Sequence, residues 1–470
     1  MRRQVLVKSC IFIGNIILAR LLLPSKFGIY GIVAFVVQCF STFGDIGFGP
    51  ALIQKRGNLL PEELSTAFWV QIILISGVVS VLWIFAPWVG AIYPSLPAHA
   101  PWLVRGLGIS FLLLSCKSIP IILMERSLDF KNIAMIEILE NVTFHGTAIL
   151  LAYRGWEEWS FIIAAVSRGF ASICMTYLIS PWRPQLYFQL KLIRNLVAFG
   201  VPYQLNFAIG FLKDAVAPLF VGAYVGADAV GYLTWARTYA FAPLMLSESF
   251  GRIAFPAFSR IQTDRELLTR AIERSIRMLT FLMVPVTAMM MALARPMTLL
   301  LFKESWLPGL PAFYLYCTSP LVVGVFLPLY SAILSLGKSR VILHMTELLL
   351  VLEWVLGVPF VMKFGFVGLA LNQPIIALIF FFVYKKALAM EGIFPNIISN
   401  ARMVFLTSAV SAASVYWLEG IFTDNRYVVF PLFASGLFLT YSLIRVFSPD
   451  LIREFQDDIR KIFRKAPLAA

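Results

Sequence analysis

Charged residues are scarce in this chain of 470 residues, where they occupy 14% of positions. Soluble proteins have about 25% charged and about 45–50% apolar residues, whereas 60% of this chain is hydrophobic and its mean hydropathy is +0.83. These values exclude a soluble enzyme, a disordered protein and a secreted disulfide scaffold. The sequence therefore predicts an all-α polytopic membrane protein.

Cysteine and histidine are also few, with five and three residues. The cysteines stand singly in apolar stretches, and none forms a CxxC pair or a Cys/His cluster, which is typical of small buried side chains rather than of a metal or redox site. The sequence also has no P-loop that would bind ATP. We therefore predict no cofactor and no resident metal.

Hydropathy breaks at charged, proline or glycine clusters divide the chain into about fourteen candidate membrane spans, each close to the roughly 20 residues that a crossing helix needs. The candidate spans lie near residues 5–23, 28–48, 67–92, 103–124, 133–153, 158–180, 196–222, 229–257, 277–302, 310–336, 341–362, 366–388, 401–419 and 427–446. The loops between them are short, and none is long enough to form a soluble domain.

The positive charge alternates from loop to loop. The N-terminus and the even-numbered loops are basic, most of all the loop after the eighth span, with five arginines between residues 260 and 277. The odd-numbered loops are nearly free of Lys and Arg, and two of them, PSLPAHAP and VGADAVG, have none. Because cytoplasmic loops collect Lys and Arg, this alternation predicts an even number of spans with both termini in the cytoplasm. It also accounts for most of the net charge of +14 without a nucleic-acid partner.

The first six spans resemble the next six. Residues 20–31 are similar to residues 223–234, and residues 44–56 to residues 248–260. Because each copy has an even number of spans, the copies are predicted to be parallel and related by a pseudo-twofold axis along the membrane normal. This pattern predicts four regions: a six-helix N-lobe (1–190), a six-helix C-lobe (191–392), a helix pair (393–447) and a cytoplasmic amphipathic tail (448–470).

Several segments resemble a known family. ILARLLLPSKFGIYG, FGDIGFGPALIQKRGNLLPEELSTAFW, MERSLDFKNIAMIEI and GYLTWARTYAFAPLMLSESFGRIAFPAFSRIQ are similar to the Wzx-type polysaccharide transporters, most closely to the colanic-acid exporters. This family belongs to the same superfamily (MOP) as the lipid II flippase MurJ and the MATE drug antiporters. The segment ahead of ILAR is shorter than is usual in the family.

The resemblance implies a two-lobed transporter of the bacterial inner membrane, expected to act as a monomer. It implies a flippase that moves undecaprenyl-diphosphate-linked oligosaccharide from the cytoplasmic to the periplasmic leaflet, for surface polysaccharides such as O-antigen or exopolysaccharide. Alternating access through a cationic central cavity is the expected mechanism. The implied partners are the lipid-linked oligosaccharide, membrane lipids and the polysaccharide polymerase machinery.

Basic residues within the spans are the candidates for binding the diphosphate. Each charge inside a span costs about 2.5–3.5 kcal/mol on insertion scales, so we expect these side chains to face a hydrated cavity. A guanidinium group binds phosphate through two charge-assisted hydrogen bonds. The candidates are Arg20, Arg168, Lys213, Arg237 and Arg295, with Arg20 and Arg237 first. Alternatively, Arg20 and Arg295 extend to the lipid headgroups, and Lys213 forms a structural ion pair with its neighbour.

Carboxylates within or near the spans are candidates for ion coupling or for structural roles. They are Asp45, Glu137, Asp214, Glu248 and Glu347. Glu137 and Glu347 occupy equivalent positions of the two repeats, which favours a shared role in the fold, such as binding a neighbouring arginine.

Two other functions compete with the flippase. A MATE-like multidrug or cation antiporter would need acidic residues at its central site, but the excess of charge inside these spans is basic. A membrane polymerase or glycosyltransferase of lipid-linked sugars would typically carry catalytic residues in a large periplasmic loop, and no odd-numbered loop is of that size. We therefore predict that the protein is not an enzyme.

Overall fold

The computed structural model describes residues 2–44, 47–55, 57, 59–421 and 426–454. The regular secondary structure of these ranges is all helical, and they contain no strand. The α-helices are α1 (Arg2–Leu21), α2 (Pro24–Gly44), α3 (Phe48–Gln54), α4 (Pro61–Ile92), α5 (Ala100–Ser115), α6 (Ser118–Arg126), α7 (Phe130–Tyr153), α8 (Trp159–Ile179), α9 (Leu190–Asp214), α10 (Gly222–Tyr224), α11 (Ala227–Ala240), α12 (Glu248–Ile261), α13 (Arg265–Ala292), α14 (Ala294–Leu301), α15 (Leu310–Tyr316), α16 (Thr318–Ser335), α17 (Ser339–Phe364), α18 (Phe366–Ala389), α19 (Ile397–Ile421) and α20 (Val429–Phe447).

These helices confirm a polytopic all-α membrane protein. Among the described residues, ten helical segments are long and apolar enough to cross a membrane, and the pair α5 and α6, bent by 42°, makes an eleventh. The other three predicted spans coincide with α1, with α9 and with the pair α11 and α12. Basic residues at both ends of α1 and α9 lower their apolar character, and a 3₁₀ segment, Ala242–Leu246, separates α11 from α12. That these three segments also cross the membrane, which would give fourteen spans in total, remains a prediction.

Helix α13 begins earlier than the sequence predicted. We expected a loop up to residue 277, but the helix starts at Arg265, where the Asp264 carboxylate accepts hydrogen bonds from the Glu266 and Leu267 amides at 3.1 and 2.9 Å. Its side chains at every fourth position, Leu268, Ile272 and Ile276, are fully buried. The arginines therefore lie on the remaining faces of a buried helix rather than in a loop.

The chain forms two compact units, Met1–Thr234 and Trp235–Ala470. We call them the first and the second unit. In the first unit, one apolar cluster forms around Phe48 and Leu52 and another around Leu18 and Ala148. The second unit has its largest apolar cluster along α13, α16 and α18. The first unit ends at Thr234, within α11, whereas the sequence repeats place a boundary at residues 190 and 191, and that boundary remains a prediction.

The fourth span of each repeat is interrupted at an equivalent place. Helix α5 ends at Ser115 and α6 begins at Ser118, while α15 ends at Tyr316 and α16 begins at Thr318. Such interruptions within a membrane need polar surroundings, because freed backbone groups cannot bind water in hydrocarbon. They are also frequent places for ion or substrate binding in transporters.

Helices α2 and α11 cross at unusually short range within the first unit. A Cβ atom added to Gly28 would lie 1.7 Å from the Ala227 carbonyl oxygen, and one added to Gly231 would lie 2.0 Å from the Pro24 carbonyl oxygen. The two contacts are equivalent, since residues 24 and 28 match residues 227 and 231 in the sequence repeat. Only glycine permits this approach of the two backbones.

The described start of the C-terminal tail packs against the second unit. Leu451 and Ile452 are buried beside Val284 and Ile444, and the Glu454 carboxylate accepts two hydrogen bonds from the Arg277 guanidinium, both at 3.0 Å. Residues 455–470, which carry most of the predicted amphipathic helix, lie outside the described residues.

Candidate functional site

Arg168 is a cation of the first unit that has no acidic partner among the described residues. Its Cζ atom lies 5.6 Å from the centre of the Phe144 ring, and its Nε atom is buried without a hydrogen-bond partner in the same part of the chain. It is close enough to Tyr30 and His145 to interact with both electrostatically. A guanidinium in this position can bind an anion without first breaking a salt bridge.

The surroundings of Arg168 are tightly packed. His145 is 6% exposed, and its Nδ1 atom has no hydrogen-bond partner among the described residues. A Cβ atom at Gly14 of α1 would lie 2.5 Å from the same ring, so α1 packs directly on it. Tyr30 stacks on Phe161 with ring centres 4.5 Å apart. These contacts restrict the orientation of the Arg168 side chain from several sides.

The other predicted basic residues lie in several elements. Arg20 is in the last turn of α1 and is exposed. Lys213 and Asp214, at the end of α9, form an ion pair with Nζ and Oδ1 3.4 Å apart. In the second unit, Arg237 stands over the Phe241 ring at 5.5 Å, and Arg295 is exposed in the first turn of α14. Their common role in binding a diphosphate remains a prediction.

The predicted carboxylates differ in their surroundings. Glu137 is exposed on α7 and lines a cavity of the first unit. Glu347 on α17 pairs with His344, one turn away, with its Oε2 atom 3.0 Å from Nδ1, so a histidine occupies the place where we expected an arginine. Glu248 begins α12, but its side chain lies outside the described residues, as does the whole of Asp45.

Sequence reasoning missed a polar cavity in the first unit. The cavity has a volume of about 380 Å³ and lies among α3, α4, α5, α6 and α7. At its edge, the Lys117 ammonium pairs with the Glu140 carboxylate, which also accepts a hydrogen bond from the Ser172 hydroxyl of α8. Lys117 is a basic residue inside a predicted span, and that signal was available in the sequence.

The second unit has a polar counterpart, without a basic residue in the contacts described, beside its own interrupted span. The Ser319 hydroxyl donates to the Gln373 amide oxygen at 2.8 Å, and the Gln373 amide donates to the Glu353 carboxylate at 3.2 Å. The adjoining cavity of about 370 Å³ is lined mainly by apolar and aromatic side chains. In both units, polar side chains from three spans therefore meet close to the helix interruption.

A salt-bridge network joins three loops of the first unit that are predicted to be periplasmic. The Glu158 carboxylate, 2% exposed, lies 2.9 Å from the Lys26 ammonium and 2.7 Å from His99 Nε2. Burial raises the pKa of Glu158, but the hydrogen bonds from Lys26 and His99 and the Lys26 charge outweigh it, so this pKa lies below its ordinary value. Nearby, the Ser95 hydroxyl accepts a hydrogen bond from the Ala227 amide at 3.1 Å, beside the α2–α11 crossing.

At the opposite end of α2, side chains of the described residues between 47 and 63 form contacts with one another and with α6. The Lys55 ammonium pairs with the buried Glu63 carboxylate at 2.6 Å. The Arg126 guanidinium donates to the carbonyl oxygens of Leu52 and Lys55 at 2.7 and 2.8 Å, which satisfies the C-terminus of α3. Lys55 and Glu63 of this stretch therefore have structural partners.

A family model described as "Polysaccharide biosynthesis protein" matches residues 17–311. The chain belongs to this family. The matched region begins near the end of α1 and includes the rest of the first unit, with its interrupted fourth span, and the basic residues up to Arg295.

Two curated proteins are similar to this member of the family over about two thirds of its chain. The succinoglycan biosynthesis transport protein ExoT of Rhizobium meliloti (strain 1021) is 24% identical over 310 residues, which are 66% of this chain and 62% of ExoT. The lipopolysaccharide biosynthesis protein WzxC of Escherichia coli (strain K12) is 25% identical over 344 residues, which are 69% of this chain and 66% of WzxC. The chain therefore spans slightly less than two thirds of each relative.

The fold of this family member is that of a solved flippase. The structure of the lipid II flippase MurJ in an inward closed conformation matches with a TM-score of 0.77. The match covers 96% of this chain and 98% of MurJ, at 16% sequence identity. This likeness confirms the fold expected from the sequence.

Proposed function

We propose that the protein is a flippase that moves undecaprenyl-diphosphate-linked oligosaccharides from the cytoplasmic to the periplasmic leaflet. The family is one of polysaccharide biosynthesis, and ExoT is named a transport protein. The observation that carries the proposal is Arg168, a guanidinium among membrane helices without an acidic partner in the described residues. An anionic ligand is the natural counter-ion for such a group.

In this mechanism the sugar head crosses within the protein while the polyprenyl tail stays in the lipid, because sugar hydroxyls and charges are costly to place in hydrocarbon. Arg168 supplies positive charge for the diphosphate. Further candidates for the same role are Arg20, Lys213, Arg237 and Arg295. The interior-negative membrane potential favours outward movement of two negative charges by about 4.6 kcal/mol per 100 mV.

The α2–α11 crossing acts as a gate at the periplasmic face. Its two glycine contacts hold the starts of α2 and α11 together, and the Ser95–Ala227 hydrogen bond ties the loop between α4 and α5 to the start of α11. In the proposed topology, with both termini in the cytoplasm of an inner-membrane protein, these helix starts face the periplasm. Separation of the two helices would open that face for release of the sugar head, after which a polymerase would use it.

Arg168→Ala tests the proposal in proteoliposomes that contain the purified full-length protein and a fluorescent undecaprenyl-diphosphate-linked oligosaccharide. Accessibility of the fluorophore to a membrane-impermeant quencher measures flipping. We expect the rate to fall at least about tenfold for Arg168→Ala and less for Arg168→Lys, because lysine keeps the charge but not the two-pronged geometry. Arg270→Ala is the matched control, since Arg270 is exposed and pairs only within its own helix in the described structure.

An unchanged flipping rate for Arg168→Ala would show that Arg168 does not bind the diphosphate. Absence of flipping by the unaltered protein, together with uptake of organic cations, would replace the flippase by the alternative, a MATE-like antiporter.

A further inference from the structure

Arg105 is a basic residue near the start of α5 that the proposed function does not use. It lies within the predicted span 103–124, five residues after the helix begins at Ala100, so it is about 7.5 Å along the helix axis from that end. In the predicted topology this end of α5 is periplasmic, on the face where the loops are nearly free of Lys and Arg. The tendency of basic residues to collect on the cytoplasmic side therefore does not explain Arg105.

The Arg105 guanidinium has few partners among the described residues. A guanidinium carries five N–H donors, and here one of them reaches the Trp83 carbonyl oxygen of α4, with Nη2 and the oxygen 3.4 Å apart. Nε has no hydrogen-bond partner in the described structure, and no described carboxylate forms an ion pair with this group. Because a charge inside a span is costly, an anion supplied from outside the chain would stabilise Arg105.

Two tryptophans hold this guanidinium at the level of the lipid headgroups. Its Cζ atom lies 4.7 Å from the centre of the Trp102 ring, which is a cation–π contact. The Trp83 indole donates a hydrogen bond to the Arg105 carbonyl oxygen, with Nε1 and the oxygen 3.2 Å apart. Both indoles are exposed, and exposed tryptophans of membrane proteins collect at the membrane–water interface. The cation is therefore placed at the depth of lipid phosphates.

The face of α5 that carries Arg105 becomes apolar further along the helix. Trp102 precedes Arg105 by three residues and Ile109 follows it by four, so the three side chains share one face. Ile109 is exposed, as is Ile84, which follows Trp83 on the adjacent helix α4. From the start of α5 the order is an interfacial ring, a cation and exposed apolar side chains. A phospholipid has the matching order of headgroup, phosphate and acyl chain.

We propose that this surface binds an anionic phospholipid, with the lipid phosphate on Arg105 and an acyl chain along Ile84 and Ile109. A guanidinium binds phosphate through two charge-assisted hydrogen bonds. None of the described contacts of Arg105 or of the two tryptophans involves a carboxylate that could receive the ammonium group of a zwitterionic lipid. A lipid with net negative charge is therefore favoured. This inference does not rest on the proposed flippase function.

Native mass spectrometry of the purified full-length protein in detergent measures the binding, with phosphatidylglycerol and phosphatidylcholine of the same acyl chains as probes. We expect phosphatidylglycerol to bind more tightly, and Arg105→Ala to weaken this binding at least about tenfold, because charged hydrogen bonds are lost. Arg105→Lys should lie between the two, since lysine keeps the charge but not the two-pronged geometry. Arg154→Ala is the matched control, because Arg154 is an exposed arginine on the same predicted side of the membrane.

Thermal unfolding provides a second measurement. A ligand that binds the folded protein raises the midpoint of unfolding. Phosphatidylglycerol should therefore raise the midpoint of the unaltered protein and of Arg154→Ala more than that of Arg105→Ala. Trp102→Leu keeps the charge and removes the ring that positions it, so this variant should also bind phosphatidylglycerol less tightly, and it tests the site even if Arg105→Ala does not fold.

The proposal is overturned if phosphatidylglycerol binds no more tightly than phosphatidylcholine, or if Arg105→Ala and Arg154→Ala bind it equally well. It is also overturned if inorganic phosphate displaces the bound lipid as effectively as added phosphatidylglycerol does, because the surface would then recognise the anion and not the lipid. Flipping that is lost while phosphatidylglycerol binding is retained would refute the proposed function and support this site.

Discussion

Replacing Gly28 by alanine should force α2 and α11 apart. The added Cβ atom would lie 1.7 Å from the Ala227 carbonyl oxygen, whereas real Cβ atoms almost never come within 3.0 Å of such a neighbour. The backbones must therefore separate by about 1.3 Å, the difference between these distances. Overpacking of this kind costs about 1–3 kcal/mol. This cost applies to the arrangement in which α2 and α11 are in contact. If arrangements in which the two helices are apart do not share the cost, the population ratio of the contacting to the separated arrangement falls about 5- to 150-fold.

Spin labels at residues 25 and 228, near the starts of α2 and α11, would report the change by pulsed electron resonance. We expect a longer and broader distance distribution for Gly28→Ala, and also for Gly231→Ala, because its Cβ atom would meet the Pro24 carbonyl oxygen at 2.0 Å. Gly31→Ala is the control on the same helix, since its Cβ atom would meet only side-chain atoms, of Val230 at 3.4 Å and of Thr234 at 3.9 Å. If Gly28→Ala and Gly31→Ala gave the same distances, the crossing would not control the separation of these helices.

Two further predictions concern contacts outside the α2–α11 crossing, and a third concerns the membrane topology. Arg126→Ala should lower the free energy of unfolding by about 2–3 kcal/mol, since charged hydrogen bonds to the end of α3 are lost, and thermal unfolding in detergent would show it. The pKa of Glu158 is lowered in the folded state, so its ionised carboxylate stabilises the fold. This stabilisation is complete above the ordinary glutamate pKa of about 4.3 and is lost as the pH falls through the pKa of the folded state. The midpoint of thermal unfolding should therefore fall less steeply with decreasing pH for Glu158→Gln than for the unaltered protein. Equal slopes for the two proteins would contradict this prediction. Alkaline phosphatase should be active when it is fused after residue 98 or 225, which are predicted to be periplasmic, and inactive when it is fused after residue 265. The reverse pattern would show that the predicted topology is inverted.

The fold could be predicted largely from the sequence because the membrane limits the possible structures. Backbone groups in hydrocarbon must pair within their own segment, so each long apolar run is a helix, and all fourteen predicted segments coincide with helices. The start of α13 was predicted less well. Its arginines suggested a loop, but Leu268, Ile272 and Ile276 at helical spacing decided the structure through their burial.

The candidate site could be predicted only in part. Arg168 was among the five basic candidates because a charge inside a span is costly, but Arg20 and Arg237 were placed ahead of it. The pairing of Lys117 with Glu140, and the approach of Ser172 from a third helix, depend on the bend between α5 and α6. A bend of this kind arises from tertiary packing and has no periodic signal in the sequence. Glu140 was therefore indistinguishable from the other carboxylates of its span.

The matched contacts of Gly28 and Gly231 also bear on the origin of the protein. Equivalent residues that touch each other across a twofold axis form the type of interface found in symmetric homodimers. In a half-length ancestor that carried the shared glycine, the same contact would have paired two copies of the chain before the gene was duplicated. Fusion of the two copies would then have kept an old subunit interface inside a single polypeptide.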